Sequence, residues 1–416
     1  MIRILHTADW HLGQTFFGYD RTEEHAHFLD WLANTIQLHE IDVLIIAGDV
    51  FDVSNPSAAS QHMYYEFIYK VTVDNPNLQI VIVAGNHDSA ARLEAPLPLL
   101  QTMRTEVRGV VRRLDNGDID YSYLTIELRN RYQEVEAFCM AVPFLRQGDY
   151  PVVQSESNPY MEGVRELYKQ LLQHVWKQKK EDQAVIAIGH LQATGSEIAE
   201  KDYSERTVIG GLECVSPDTF SDKIAYTALG HIHKSQRVSK RENVRYAGSP
   251  IPMSFSEKYY HHGVVMVTLD KGSTLDIQRL EYADCIPLVS VPEHGATSPQ
   301  EVIDLLDKLP DSVEISPFLE VAVLLKEPEP MLRQEIEEAL IDKNYRLARI
   351  VSNYLEDNNK NEFDANGYKE GGLHELSPLQ IAQSAFTNVY KVDMPIELMN
   401  LFQEAYTEAM RKEEEL

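Results

Sequence analysis

The chain has 416 residues, 44% of them hydrophobic, with 38 basic and 65 acidic side chains and a net charge of −27. That length and apolar share suit a packed protein of two or more domains, while the acidity weighs against a free-standing nucleic-acid binder, because phosphate contact needs lysine and arginine. Three cysteines, 75 and 71 residues apart, offer no zinc or thioredoxin-type motif and suit a reducing compartment, and no apolar run approaches the ~20 residues of a membrane helix.

The first element, "IRILHTADWH", is a β-rich run that ends in Asp9 and His11. It turns polar too early for a signal peptide, so the protein is expected in the cytoplasm, with no membrane contact. Four more runs end the same way. "IDVLIIAGDVFD" ends in Asp49, "IVIVAGNHD" in Asn86, His87 and Asp88, "AVIAIGH" in His190, and "IAYTALGHIH" in His231 and His233. In four of the five, glycine directly precedes the polar residue, which lets the backbone turn sharply and leaves room beside a site. Helical patterns such as "GVRELYKQLLQHVWKQ" at 163–178 lie between several runs. Strands alternating with helices predict an α/β fold with its site at the carboxyl ends of the strands.

After the strand "GVVMVTLD" (263–270) the pattern changes. Residues 286–355 read β-α-β-α-β, with Ser298, Pro299 and Glu301 as a capping box that opens "EVIDLLDKL". "EDNNKNEFDANGYKEGG" (356–372) is polar and aperiodic and reads as a linker; it lacks the glycine a calcium loop needs. Two helical patterns follow. The first carries Leu379, Ala382, Phe386 and Val389 on one seam; the second opens at Pro395 with Leu398, Leu401, Ala405 and Ala409. The expected layout is a catalytic domain over 1–280, a small α+β domain over 285–355, a linker over 356–375 and a helical segment over 376–416 that either folds back on the small domain or docks on a partner.

Asp9, His11, Asp49, Asn86, His190, His231 and His233 make two carboxylates, one amide oxygen and four imidazoles. That is a ligand set for two ions of borderline hardness, such as manganese, iron or zinc. One carboxylate can bridge them at ~3.5–4 Å, as two-metal phosphoryl chemistry requires. A lone buried histidine or a lone "GNHD" turn would mean little, but five such endings in one order point to a bimetal site.

Those motifs, D-x-H, GD, GNHD, GH and GHIH, resemble the calcineurin-like metallophosphoesterases over about the first 260 residues. With "LHTADWHLGQ", "AGDVFD", "AGNHDS" and "YAGSPIPMSF", the resemblance narrows to the double-strand-break-repair nucleases of the SbcD type, over essentially the whole chain. It implies a two-sheet sandwich flanked by helices, with a small α+β capping domain and a helical tail. It also implies a manganese-dependent DNA nuclease that works with an SbcC-type coiled-coil ATPase, as a homodimer within a heterotetramer. Carried over by motif, one ion is held by Asp9, His11, Asp49 and His233, the other by Asp49, Asn86, His190 and His231. His87 is left as general acid, with Asp88 expected to fix its tautomer. One departure stands out: archaeal and eukaryotic relatives place a histidine three residues after the bridging aspartate, where this chain has Asp52. Asp52 either holds a metal-bound water or a histidine behind the ligands, or is only a turn residue.

Two other classes compete with the nuclease: a phosphoesterase for small phosphodiesters or phosphoproteins, and an adaptor with a decorative site. The complete ligand set argues against the adaptor, and the appended domain and tail argue against the small-molecule enzyme. Lys234, Arg237, Lys240 and Arg241, directly after His233, read as a candidate DNA contact; Arg104, Arg108, Arg112 and Arg113 read as solvated surface. "QHMYYEFIYKV" (61–71) and "LEAPLPLLQTM" (93–103) carry more apolar residues than one buried face needs, so they serve either the core or a two-fold interface.

Overall fold

The computed structural model describes residues 1–153, 158–197, 214–311 and 315–354, together with residues 386, 395, 398 and 399. Residues 1–323 and 329–352 form one compact unit; 324–328 and 353–416 fall in a second. The expected linker at 356–375 lies outside the described residues, as does nearly all of the helical segment at 376–416.

The apolar runs form the strands the alternation predicts. β1 (Ile2–Thr7), β2 (Val43–Ala47), β3 (Gln79–Val83) and β4 (Thr105–Arg108) pair in parallel in that order. A second six-stranded sheet holds β5 (Thr125–Arg129), β6 (Val135–Ala141), β7 (Ala184–His190), β8 (Tyr226–Gly230), β9 (Gln236–Arg237) and β10 (Val244–Tyr246). Its spatial order is β9-β10-β8-β7-β6-β5, with β6, β7, β8 and β10 parallel. The chain then returns to the first sheet with β11 (Gly263–Asp270), antiparallel beside β1, and β12 (Ser273–Glu281), antiparallel to β11 at the sheet edge.

The two sheets face each other, and the period of two sorts each strand's residues. Val43 and Ile45 of β2 join Ile186, Ile188 and Ala228 between the sheets. Leu44 and Ile46 point outward, under the helices α1 (Thr22–Leu38) and α2 (Ala58–Asp74). α3 (Pro159–Trp176) covers the second sheet with Val164, Leu167, Tyr168, Leu171 and Val175. It starts four residues before the apolar pattern, because Asn158 Oδ1 accepts from the Tyr160 N–H at 3.0 Å and Pro159 takes the first helical position. Each fully buried aliphatic side chain contributes about 1.5–3 kcal/mol, so the sandwich is a rigid support for its loops.

The segment 288–354 has the expected order: β13 (Leu288–Val291), α4 (Pro299–Asp307), β14 (Phe318–Leu325), α5 (Leu332–Ala339) and β15 (Arg346–Tyr354). Its capping box is only half formed: Ser298 Oγ meets the Glu301 carboxylate at 3.1 Å rather than a backbone N–H. An aromatic cluster joins it to the sandwich. Phe16 and Phe255 pack on Phe318, and the Arg349 guanidinium lies 5.2 Å from the Phe17 ring and 5.4 Å from that of Phe255.

Candidate metal centre

Every predicted ligand lies at or just past the carboxyl end of a central strand. The pleat is not what aims them, however. Only His190 is a strand residue; Asp9, His11, Asp49, Asn86, His231 and His233 sit in the loops beyond. Four of these loop residues have left-handed backbones: Asp9 (φ 54°), His11 (φ 47°), Asp49 (φ 49°) and His231 (φ 97°). Such conformations cost about 1–3 kcal/mol each and persist where the surroundings impose them. Here the Asp9 N–H donates to the Gly48 carbonyl and the His11 N–H to that of Asp49, both at 3.0 Å. Two glycines are sterically required. A Cβ on Gly85 would sit 2.1 Å from Asp49 Oδ1, and one on Gly48 would sit 2.2 Å from His190 Nδ1.

The predicted ligands converge as two groups, Asp9 with His11 and His233, and Asp49 with His190 and His231, and a third group joins His11 to Asp52 and His87. Asp49 lies between them. Its Oδ2 is 3.2 Å from His190 Nε2 and 3.8 Å from His11 Nε2, and its Oδ1 accepts from the His87 N–H at 2.8 Å. Asn86 Oδ1 lies 2.9 Å from His190 Nε2 and 3.0 Å from His231 Nδ1.

The donor set fits a divalent cation. His190 Nδ1–H donates to the Ala47 carbonyl at 2.8 Å, so Nε2 carries the lone pair of the neutral ring. That lone pair, Asp49 Oδ2 and Asn86 Oδ1 are three acceptors facing one another, an arrangement that calls for positive charge between them. Asp9 Oδ2 and His11 Nε2 are buried without a hydrogen-bond partner among the described residues, which a metal ion would supply. The electrostatics agree. Burial pulls His190 down, but Asp49 and Asp9 outweigh it and push the imidazole up to about 9. Burial likewise opposes ionisation of Asp49, yet His190 and His11 hold its carboxyl well below the usual range. Burial pushes His231 down to about 3.

Residues 2–235 match the calcineurin-like phosphoesterase family, and residues 286–390 match a family described as the type 5 capsule protein repressor C-terminal domain. The chain is 35% identical over 357 residues to the SbcD subunit of the SbcCD nuclease of Rhodobacter capsulatus, covering 84% of this chain and 87% of that one. The chain belongs to the SbcD nuclease-subunit family. It is 33% identical over 290 residues to the Escherichia coli K12 subunit (67% of this chain, 68% of that one). With the Bacillus subtilis 168 subunit it shares 31% over 319 residues (74% and 76%). It is thus a metal-dependent phosphodiesterase of the nuclease class.

Within this SbcD-type site the expected role of Asp88 needs correction. Its carboxylate is buried and ties two loops together: Oδ2 accepts from the Gly85 and Val50 N–H groups at 2.9 and 3.2 Å, and Oδ1 from Phe51 at 3.0 Å. The acceptor on His87 Nδ1 is instead the Asp52 backbone carbonyl, at 2.7 Å. Adjacent residues in a turn point apart, so sequence neighbourhood misled. Asp52 itself is more than a turn residue. Its Oδ1 lies 3.3 Å from His11 Nδ1, and although burial raises its pKa, His11 outweighs this and holds the carboxyl down.

One functional group was missed. Glu257 is fully buried; its Oε1 accepts from His233 Nδ1–H at 2.9 Å, and its Oε2 accepts from the Met253 N–H at 2.9 Å. Burial opposes its charge, but His233 and His262 hold its carboxyl low. An orienting carboxylate behind a ligand histidine is expected on general grounds, yet nothing in "FSEKYY" marks which acid serves.

The basic strip is less free than expected. Arg241 donates to the Pro217 and Phe220 carbonyls at 2.9 and 2.7 Å and pairs with Asp222, so it staples a turn rather than facing DNA. Lys234 pairs with Glu197 and Arg237 with Glu242, whereas Lys240 is exposed. Arg104, Arg112 and Arg113 are exposed, as expected of solvated surface, but Arg108 is not: it is buried, pairs with Glu106 and lies 4.4 Å from the Tyr123 ring.

Proposed function

We propose that the protein is the nuclease subunit of a DNA-processing complex: a two-metal enzyme that acts as an exonuclease on duplex ends and an endonuclease on hairpins or single strands. It works with an SbcC-type coiled-coil ATPase in DNA repair, recombination and replication. The observation that carries this reading is the convergence of seven ligand-type side chains in a chain whose relatives are named as SbcD subunits of the SbcCD nuclease. One ion is assigned to Asp9, His11, Asp49 and His233, the other to Asp49, Asn86, His190 and His231, and manganese suits this mixture of oxygen and imidazole. When bound, two divalent ions activate water and neutralise charge on a phosphate.

The chain's own groups do the rest. Asp49 holds the two halves in register. Asp52 and Glu257 set the tautomers of His11 and His233. His87 keeps Nδ1–H on the Asp52 carbonyl, so its cationic ring presents Nε2–H to the departing 3′-oxygen and is left neutral once the proton has moved. No covalent enzyme intermediate is required. Residues 1–280 form the catalytic domain, 285–355 cap it, and 356–375 link it to a partner-docking segment at 376–416. The exposure of Tyr69 (61%) and Leu99 (70%) on the segments 61–71 and 93–103 supports a homodimer within a heterotetramer. A sparse, odd count of three cysteines suits the cytoplasm.

The test is to incubate the purified chain and manganese with linear duplex DNA and with a generic phosphate ester, with and without the ATPase. Cleavage of duplex ends is expected. Turnover of the ester with no attack on DNA would favour a small-molecule enzyme. His87→Gln should keep metal and DNA binding and lose about 10²–10⁴-fold in rate; normal turnover would remove His87 from the mechanism.

A further inference from the structure

A cavity of about 750 Å³ lies far from the metal centre, between α3 and the turn at 217–224. Ile224 on its wall leads into β8, whose carboxyl end delivers His231. A smaller cavity of about 410 Å³ shares Trp176 and Lys223 with it and reaches Gln183 and Val185, at the start of β7. The length of β7, roughly 20 Å at strand rise, therefore separates the Trp176 end of these cavities from His190, while Tyr168 on the wall of the larger one donates to the Ile188 carbonyl at 2.9 Å.

The chemistry of the larger cavity is unlike the rest of this acidic chain. Its floor is apolar and aromatic: Leu172, Trp176 and Phe220. Trp176 ends α3 with 44% of its surface exposed, and the Lys179 and Lys223 ammonium groups stand 4.7 and 5.3 Å from its ring centroid. Of the other basic residues on the wall, Arg165 and Lys169 pair with Glu162 and Glu166, and Arg241 with Asp222, which leaves Lys177 and Lys223, both exposed, as the lining cations without a carboxylate partner among the described residues; Asp218 is also on the wall.

We propose that this cavity is a second, non-hydrolytic site that binds a nucleotide, with its base against Trp176 and its phosphate between Lys177 and Lys223. An aromatic plate flanked by cations is how proteins hold single nucleotides and single strands alike, and the volume suits one such unit. Free nucleotide and a nucleotide within a single strand share this chemistry. Too far from the metal centre to be cut, the bound unit would be an effector or an anchoring point for a strand. The inference does not depend on which DNA ends the enzyme attacks.

The manganese-loaded full chain would be titrated with dAMP, with a hydrolysis-resistant phosphorothioate oligothymidylate and with inorganic phosphate, reading tryptophan fluorescence and competition. Saturable binding of dAMP, of the strand or of both is expected; dAMP binding marks a free-nucleotide site, and binding of the strand alone marks a strand path. Trp176→Leu and Lys223→Glu should each weaken binding about tenfold or more. Hydrolysis of bis(p-nitrophenyl) phosphate should be unchanged in both, which shows them folded. The proposal is overturned if neither nucleotide form binds, if inorganic phosphate binds as tightly as dAMP, or if the two variants bind like the unaltered chain.

Discussion

The same two strands end in opposite chemistries. At the carboxyl ends of β7 and β8, His190 and His231 meet Asp49 and Asn86 in a buried cluster where every lone pair has a fixed direction. At their amino ends, Trp176 and exposed lysines border an open cavity. The difference lies in how each group is held. The metal cluster depends on left-handed backbones, glycines that admit a neighbour, and acceptors such as the Ala47 carbonyl and Glu257 that fix each ring. The cavity needs only a flat apolar plate and nearby cations. A site that must hold small ions tolerates far less displacement than one that holds a flexible ligand by stacking and charge. The sheet between them serves as a rigid spacer.

The contrast can be sharpened by altering a group that touches no substrate. Glu257→Gln puts an amide N–H₂ or a neutral oxygen where Glu257 now accepts from His233, Met253 and Ser249. Manganese affinity should fall about 10–100-fold, as is usual when an orienting carboxylate is lost, while binding at the Trp176 cavity stays unchanged. Metal titration followed by calorimetry checks both; unaltered metal affinity would make Glu257 a packing residue only.

Acid should remove both ends together by attacking the spacer. His6 and His25 are buried, and burial pushes each imidazole down to about 3. His6 Nδ1 lies 2.9 Å from the Tyr226 hydroxyl, and His25 Nε2 lies 3.1 Å from the Trp10 carbonyl. Their folded pKa values lie below the unfolded value, so between about pH 6.5 and pH 3 the unfolded chain binds protons that the folded chain does not. Stability is therefore present above pH 6.5 and lost as pH falls, by about 1.4 kcal/mol per pH unit for each group. Denaturant unfolding across this range should show that slope, and His6→Phe should reduce it; a flat profile would mean that these imidazoles do not report the core.

The smallest effect is expected at the remaining basic strip. Lys240→Gln should lower the salt dependence of DNA binding by about one unit of slope if Lys240 meets a phosphate, and not at all if it is ordinary surface. Arg241→Gln should act on stability instead, since it frees the Pro217 and Phe220 carbonyls.

Much of the sandwich was legible because its strands are short β-branched runs and its ligands are polar residues where such runs stop. α3 and the β-α-β-α-β unit followed from periodicity and capping residues. What escaped depends on the backbone or on distant contacts. The Asp52 carbonyl that holds His87 is invisible in a sequence, since any residue has a carbonyl. Asp88 looked like the partner of His87 because it is next to it, yet a tight turn sends the two side chains apart. Glu257 comes 24 residues after the histidine it orients, and Arg241 looked like a DNA contact until its carbonyl partners appeared.

The central claim is that Asp49 bridges two ions that one active site needs together. The direct measurement is elemental analysis of purified Asp49→Ala and His233→Ala alongside hydrolysis of a small phosphodiester. Asp49→Ala should retain neither ion and His233→Ala should lose mainly one, with activity falling to background in the first. Two tightly bound ions in Asp49→Ala would contradict the account.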